Sequence, residues 1–99
     1  MEISYALKTI KENILTGHRF SIHFKDKLKE RNLSELEFLD LIRTMPIVGI
    51  SLQNKQESKY KVWYDMDATK DLNIILSISH NKEIILISIF PTMKKRRLR

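Results

Sequence analysis

The sequence predicts an α+β domain in which two to three N-terminal helices pack on one face of a roughly four-stranded, mostly antiparallel sheet. Three observations carry that reading. Apolar residues recur at helical spacing up to Pro46, and after it their period changes to two. The later apolar runs are joined by connections short enough for antiparallel neighbours. With 99 residues, two glycines, two prolines and no internal repeat, the chain reads as one domain over residues 1–93 followed by a basic tail at 94–99.

Each element has its own signal. Ile3, Leu7, Ile10 and Ile14 form the seam of a helix from about Ser4 to about Leu15, with Gly17 as its stop. His18 to Ile22 alternate and predict a short extended lead into a second, basic helix, for which Ser21 is the better cap. Asn32 tolerates the left-handed conformation that ends a helix, and Ser34-Glu35-Leu36-Glu37 is a capping box opening the third. That helix ends near Thr44, because Pro46 disfavours helical geometry at Met45. Val48, Ile50 and Leu52 then alternate as a strand, Gln53–Ser58 is a polar turn, and Tyr60, Val62 and Tyr64 share one strand face opposite Lys61 and Trp63. Asp65–Asp71 reads as a surface loop. Leu72–Ser79 and Glu83–Phe90 are two long β-rich runs joined at His80-Asn81-Lys82, with Pro91 ending the second. Their apolar content also raises the prospect of pairing at a sheet edge, so oligomeric state stays open.

Composition narrows the function. Without cysteine there is no disulfide, no thiolate metal site and no thiol nucleophile. Histidines at 18, 23 and 80 do not form a recognised zinc pattern, Gly17 and Gly49 stand alone rather than in a phosphate loop, and no serine sits in an elbow motif. No cofactor or metal is therefore expected. No run approaches the length of a membrane span, and the N-terminus lacks a signal pattern, so the expectation is a cytoplasmic protein with no membrane partner. The formal charge of +6 favours a polyanion, with nucleic acid first and an acidic protein second.

The basic helix supplies the candidate chemistry. His23, Lys27 and Arg31 recur at i, i+4 and i+8 and line up along one stripe, beside the core-facing Phe24 and Leu28. That set suits a phosphate-bearing ligand; were the ligand RNA, cutting it without a metal would require a base for the 2′-hydroxyl proton, an acid for the leaving 5′-oxygen and fixed cations for the charge between them. Histidine can fill either proton role near neutral pH, and Lys27 and Arg31 would clamp the phosphate. His80 is the candidate second proton carrier, with Tyr60, Tyr64, Lys61 and Thr92 weaker. Trp63 beside Lys61 could stack a base, and Lys94, Lys95, Arg96 and Arg97 could track phosphates. Each has a plainer reading: His23 bonded to a backbone carbonyl, Arg31 on the carbonyls of a helix end, His80 as a turn residue, the aromatics as packing and the tail as a solvated end.

On the residues Phe20-Ser21-Ile22-His23, Lys27, Arg31, Leu33-Ser34 and Ile87-Ser88-Ile89-Phe90, the chain resembles the RelE-like (barnase/EndoU/colicin/RelE-type) toxin superfamily, in particular an uncharacterised group with a His-x-x-x-Arg-x-x-x-Arg motif helix. The likeness spans residues 20–92. Lys27 stands where the motif has Arg, which keeps the charge but loses the planar bidentate fork. The resemblance implies a metal-independent endoribonuclease toxin, neutralised by a cognate antitoxin or immunity protein. The alternative is a non-catalytic module of the same fold that binds RNA or an acidic protein.

Overall fold

The computed structural model describes residues 2–94. Helix α1 (Ile3–Asn13), strand β1 (His18–Phe20), helices α2 (Ile22–Glu30) and α3 (Glu35–Thr44), and strands β2 (Ile47–Asn54), β3 (Lys59–Asp65), β4 (Lys70–Ile78) and β5 (Ile84–Met93) follow in order. The sheet has five strands in the order β1-β5-β4-β3-β2. The expected antiparallel meander is present as β2 to β5. The additional strand is β1, whose three residues pair parallel with β5 from His18↔Ile84 to Phe20↔Leu86.

The helices form where their caps place them. Ser21 accepts a hydrogen bond from the Phe24 backbone at 3.1 Å and opens α2. Asn32, at φ 56°, closes it in the left-handed region, with the Leu33 N–H on the Leu28 carbonyl and the Asn32 N–H on that of Lys29. These are the two bonds of a Schellman motif. The Ser34–Glu37 capping box is complete, at 3.0 and 2.8 Å. Helix α1 ends differently from the expectation. Gly17 has no positive φ; its N–H donates to the carbonyl of Asn13, the last helical residue, at 2.6 Å, and the Asn13 amide donates back to the Thr9 carbonyl at 2.8 Å. The seam of α1 is also rotated: Ala6, Thr9 and Ile10 are buried while Ile3 is 43% exposed.

Ala6, Ile10 and Ile14 of α1, Phe24 and Leu28 of α2, and Phe38 and Ile42 of α3 join one core with alternate residues of the sheet. These are Tyr60, Val62 and Tyr64 on β3, Leu72 to Ile78 on β4, and Ile84, Leu86 and Ile89 on β5. The switch from even to odd positions on β5 marks a bulge: Leu86 pairs with Leu76 and Ser88 with Ile75, leaving Ile87 over. The bulge is also where α2 is tied down, since the Ser21 N–H donates to the Leu86 carbonyl at 3.0 Å and its hydroxyl to the Ile87 carbonyl at 3.3 Å.

One expectation about β5 is corrected. It continues through Pro91, which pairs with Leu72, to Met93. A proline is tolerated there because β1 stops opposite Leu86, so the side of β5 away from β4 has no partner strand at Pro91. Strand β4 is interior throughout, whereas β5 is covered by β1 only over Ile84–Leu86 and has β4 as its one partner strand from Ser88 to Met93.

Candidate functional site

Three surfaces contain the residues the sequence singled out. On α2, His23 and Arg31 are exposed and Lys27 is half-buried, all on the flank beside Phe24 and Leu28. Arg31 is the C-cap, with φ −100° and ψ 6°, so it continues the stripe at the end of the helix. His23 and Arg31 form no ion pair among the described residues, whereas the Lys27 Nζ stands 3.7 Å from a Glu30 carboxylate oxygen. The opposite flank of α2 faces a cleft of about 360 Å³ lined by Ile22, Lys25, Lys29 and Leu33. Ile22 is 79% exposed there.

His80 is not part of that stripe. It lies exposed in the β4–β5 turn, before the first residue of β5, Ile84, which is itself three residues, or about 10 Å by strand rise, back from the Ile87 anchor of α2. There it shares a cleft of about 430 Å³ with Tyr5, Ser58, Ser79 and Lys82. The Lys82 ammonium sits 5.6 Å from the Tyr5 ring centroid. Hydrogen bonding to that ammonium holds the Tyr5 phenol below its ordinary range and raises the lysine in turn. Ser58 and Lys82 both have positive φ, 48° and 67°. Backbone in that region is uncommon for residues other than glycine. This Tyr5–Lys82 pair was not legible in the sequence, because the two residues are 77 positions apart.

The third surface is the sheet face away from the helices. Register places Trp63, Asn73 and Phe90 in one row across β3, β4 and β5, and Lys61, Ile75 and Ser88 in the next. A third row holds Lys59, Ser77 and Ile85, with Arg19 of β1 beyond Ile85. The indole of Trp63 lies against the backbone of Gly49, where an ideal Cβ would sit 2.0 Å from its Cε2 and Cζ2 atoms. That close approach explains a glycine inside β2. The Lys61 ammonium is 5.5 Å from the indole centroid, within cation–π range. In the middle of the row, Asn73 is 4% exposed and donates through Nδ2 to Thr92 Oγ1 at 2.8 Å and to the Phe90 carbonyl at 3.3 Å.

Other expected site residues are placed elsewhere. Tyr60 and Tyr64 are core residues, each 2% exposed, and cannot serve a surface reaction. Burial pushes the Tyr64 phenol far above its ordinary range, and its hydroxyl has no hydrogen-bond partner among the described residues. Thr92 is engaged by Asn73. Lys94 does not extend as a free cation: its ammonium is bonded to Asp65 and stands 3.9 Å from Asp71, and its backbone N–H donates to the Thr69 carbonyl. Lys95, Arg96 and Arg97 lie outside the described residues.

Among the described residues, no three or more His, Cys, Asp or Glu side chains gather as a metal site, and no helix is long and apolar enough to cross a membrane. Comparison with protein-family models, with curated proteins and with solved structures gave no match to this chain.

Proposed function

We propose that the protein is a RelE-like, metal-independent endoribonuclease toxin of the cytoplasm, held in check by a cognate antitoxin or immunity protein. The observation that carries the reading is the α2 flank, where an imidazole, an ammonium and a guanidinium share one solvent-facing stripe on a helix whose N-cap, Ser21, is pinned to β5. In this scheme His23 takes the 2′-hydroxyl proton as that oxygen attacks phosphorus. Arg31 and Lys27 hold the charge that develops on the phosphoryl oxygens. The departing 5′-oxygen takes its proton from solvent, because His80 lies at the hairpin end of the sheet. Cleavage then leaves a 2′,3′-cyclic phosphate and a 5′-hydroxyl.

A second reading is favoured by a specific observation. Lys27 is beside Glu30, so part of the clamp is already neutralised, and no second proton carrier stands next to His23 in the stripe. Those features fit a module that holds RNA or an acidic protein without cutting it. Expression in cells separates the two. The enzyme reading expects growth arrest that His23→Ala and Arg31→Ala both relieve; a harmless wild-type protein that leaves cellular RNA intact removes it.

A further inference from the structure

We propose that the uncovered face of the sheet binds single-stranded RNA, with unpaired bases stacking on Trp63 and Phe90 and backbone phosphates held by Lys61 and Arg19. The proposal rests on the reading of RNA as ligand, and adds which form of RNA is bound and by which surface. It does not depend on cleavage at α2.

The argument begins with the bulge at Ile87. Without that extra residue Phe90 would fall on the helix-covered face with Ile84 and Leu86; with it, Phe90 shares the open face with Trp63. The two rings then stand in one cross-strand row, two strand spacings apart, about 10 Å between backbones. Neighbouring bases that are unstacked from each other can each take one ring over such an interval, as on other RNA-binding sheets. A duplex cannot, because its base faces are already covered by one another. Both rings are half-buried, and Trp63 lies against Gly49, so its orientation is set before any ligand arrives.

Charge on this face selects a polyanion. Lys61 and Arg19 make no ion pair among the described residues and lie on one side of the aromatic row, one and two rows from it. Lys59, in the same row as Arg19, reaches Glu57 at 3.2 Å and contributes less. The carboxylates of the same face, Asp65 and Asp71, are gathered at one end around the Lys94 ammonium, which leaves the aromatic and basic rows clear of unpaired negative charge. An acidic peptide would meet the cations but has no use for two spaced aromatic faces.

Trp63 is the only tryptophan in the chain, so its fluorescence reports this face alone. The test uses the full chain and a single-stranded DNA oligonucleotide of about 12 nucleotides, a length within the range single-strand-binding folds occupy. The probe has bases and phosphates but no 2′-hydroxyl, so it cannot be cut. Comparison ligands are the same sequence as a duplex, inorganic polyphosphate and a polyglutamate peptide. The expected result is saturable quenching by the single strand, little by the duplex, and none by polyphosphate or polyglutamate. Phe90→Leu, which keeps apolar bulk, should weaken single-strand binding roughly 5- to 100-fold, the range that follows from base–aromatic stacking. Trp63→Leu, followed by anisotropy of a labelled oligonucleotide, should do the same while far-ultraviolet circular dichroism confirms that the sheet is intact. Lys61→Ala should reduce affinity most at low salt. Equal binding of polyphosphate or polyglutamate, or folded Phe90→Leu and Trp63→Leu proteins that bind the single strand as well as wild type, would overturn the proposal. Loss of RNA cleavage with quenching retained would instead remove only the nuclease reading.

Discussion

Replacing Gly49 with alanine tests the geometry of the open face without touching a charge. The new methyl group would start 2.0 Å from two indole carbons of Trp63 and 2.5 Å from Nε1. Ordinary carbon–carbon contact is about 3.5–4.0 Å, so the ring must move by roughly 1.5 Å or more. Gly49 pairs directly with Trp63 in the β2–β3 ladder, and β2 is an edge strand, so strand and ring share the displacement. Lifting the indole exposes on the order of 50–100 Å² of apolar surface, or about 1–2.5 kcal/mol. Introduction of a better strand-former recovers a few tenths of this. The net expectation is about 1–2 kcal/mol of destabilisation, seen as a fall in Tm of roughly 4–15 °C for a domain of this size. Urea denaturation gives the free energy, and a red shift in Trp63 emission reports exposure of the ring. The same substitution in a Trp63→Ala background should cost far less, because the obstructing group is gone. A Gly49→Ala protein with unchanged stability and an unshifted emission spectrum would refute the placement of the indole on β2.

Other expectations follow from individual contacts. Ser34→Ala removes one half of the α3 capping box and should lower stability by about 1 kcal/mol, measurable by urea denaturation, with Glu37→Ala costing less. Tyr64→Phe deletes a buried hydroxyl that has no partner among the described residues and should be neutral or slightly stabilising near neutral pH. Because the folded phenol is raised above its ordinary value of 10.0, the stability linked to Tyr64 is complete below that pH and is lost as pH rises above it. The Phe variant should therefore be less sensitive to alkaline denaturation. Tyr5 behaves in the opposite sense: ultraviolet titration should find one of the three tyrosines ionising below its ordinary value, and Lys82→Met should return it to normal.

Local signals were the most legible part of the chain. The caps at Ser21, Asn32 and Ser34 depend on side-chain chemistry within four residues, and the burial of Tyr60, Val62 and Tyr64 follows directly from alternation. Strand β1 was visible only as an extended lead, because three residues carry too little periodicity to announce a parallel partner 66 positions away. Pro91 looked like a terminator since the sequence does not reveal that β5 lacks a neighbour on that side. The i, i+4 spacing did place His23, Lys27 and Arg31 on one flank. Whether His80 joins them depends on strand length and tertiary distance, which spacing in the sequence does not carry. The row of Trp63, Asn73 and Phe90 depends on strand register and on one bulged residue, and neither leaves a periodic trace in the sequence. One sign was available: Asp71 and Asn73 are polar positions within an apolar run, which marks the side of β4 that turns away from the helices.

The most direct measurement is incubation of the purified protein with single-stranded RNA in excess chelator, followed by identification of the fragment ends. The account predicts fragments ending in 2′,3′-cyclic phosphate and 5′-hydroxyl groups, produced by wild type and suppressed at least tenfold by His23→Ala and by Arg31→Ala, an effect of about 1.4 kcal/mol or more on the barrier. Intact RNA with wild-type protein, or equal cleavage by the folded variants, would contradict it.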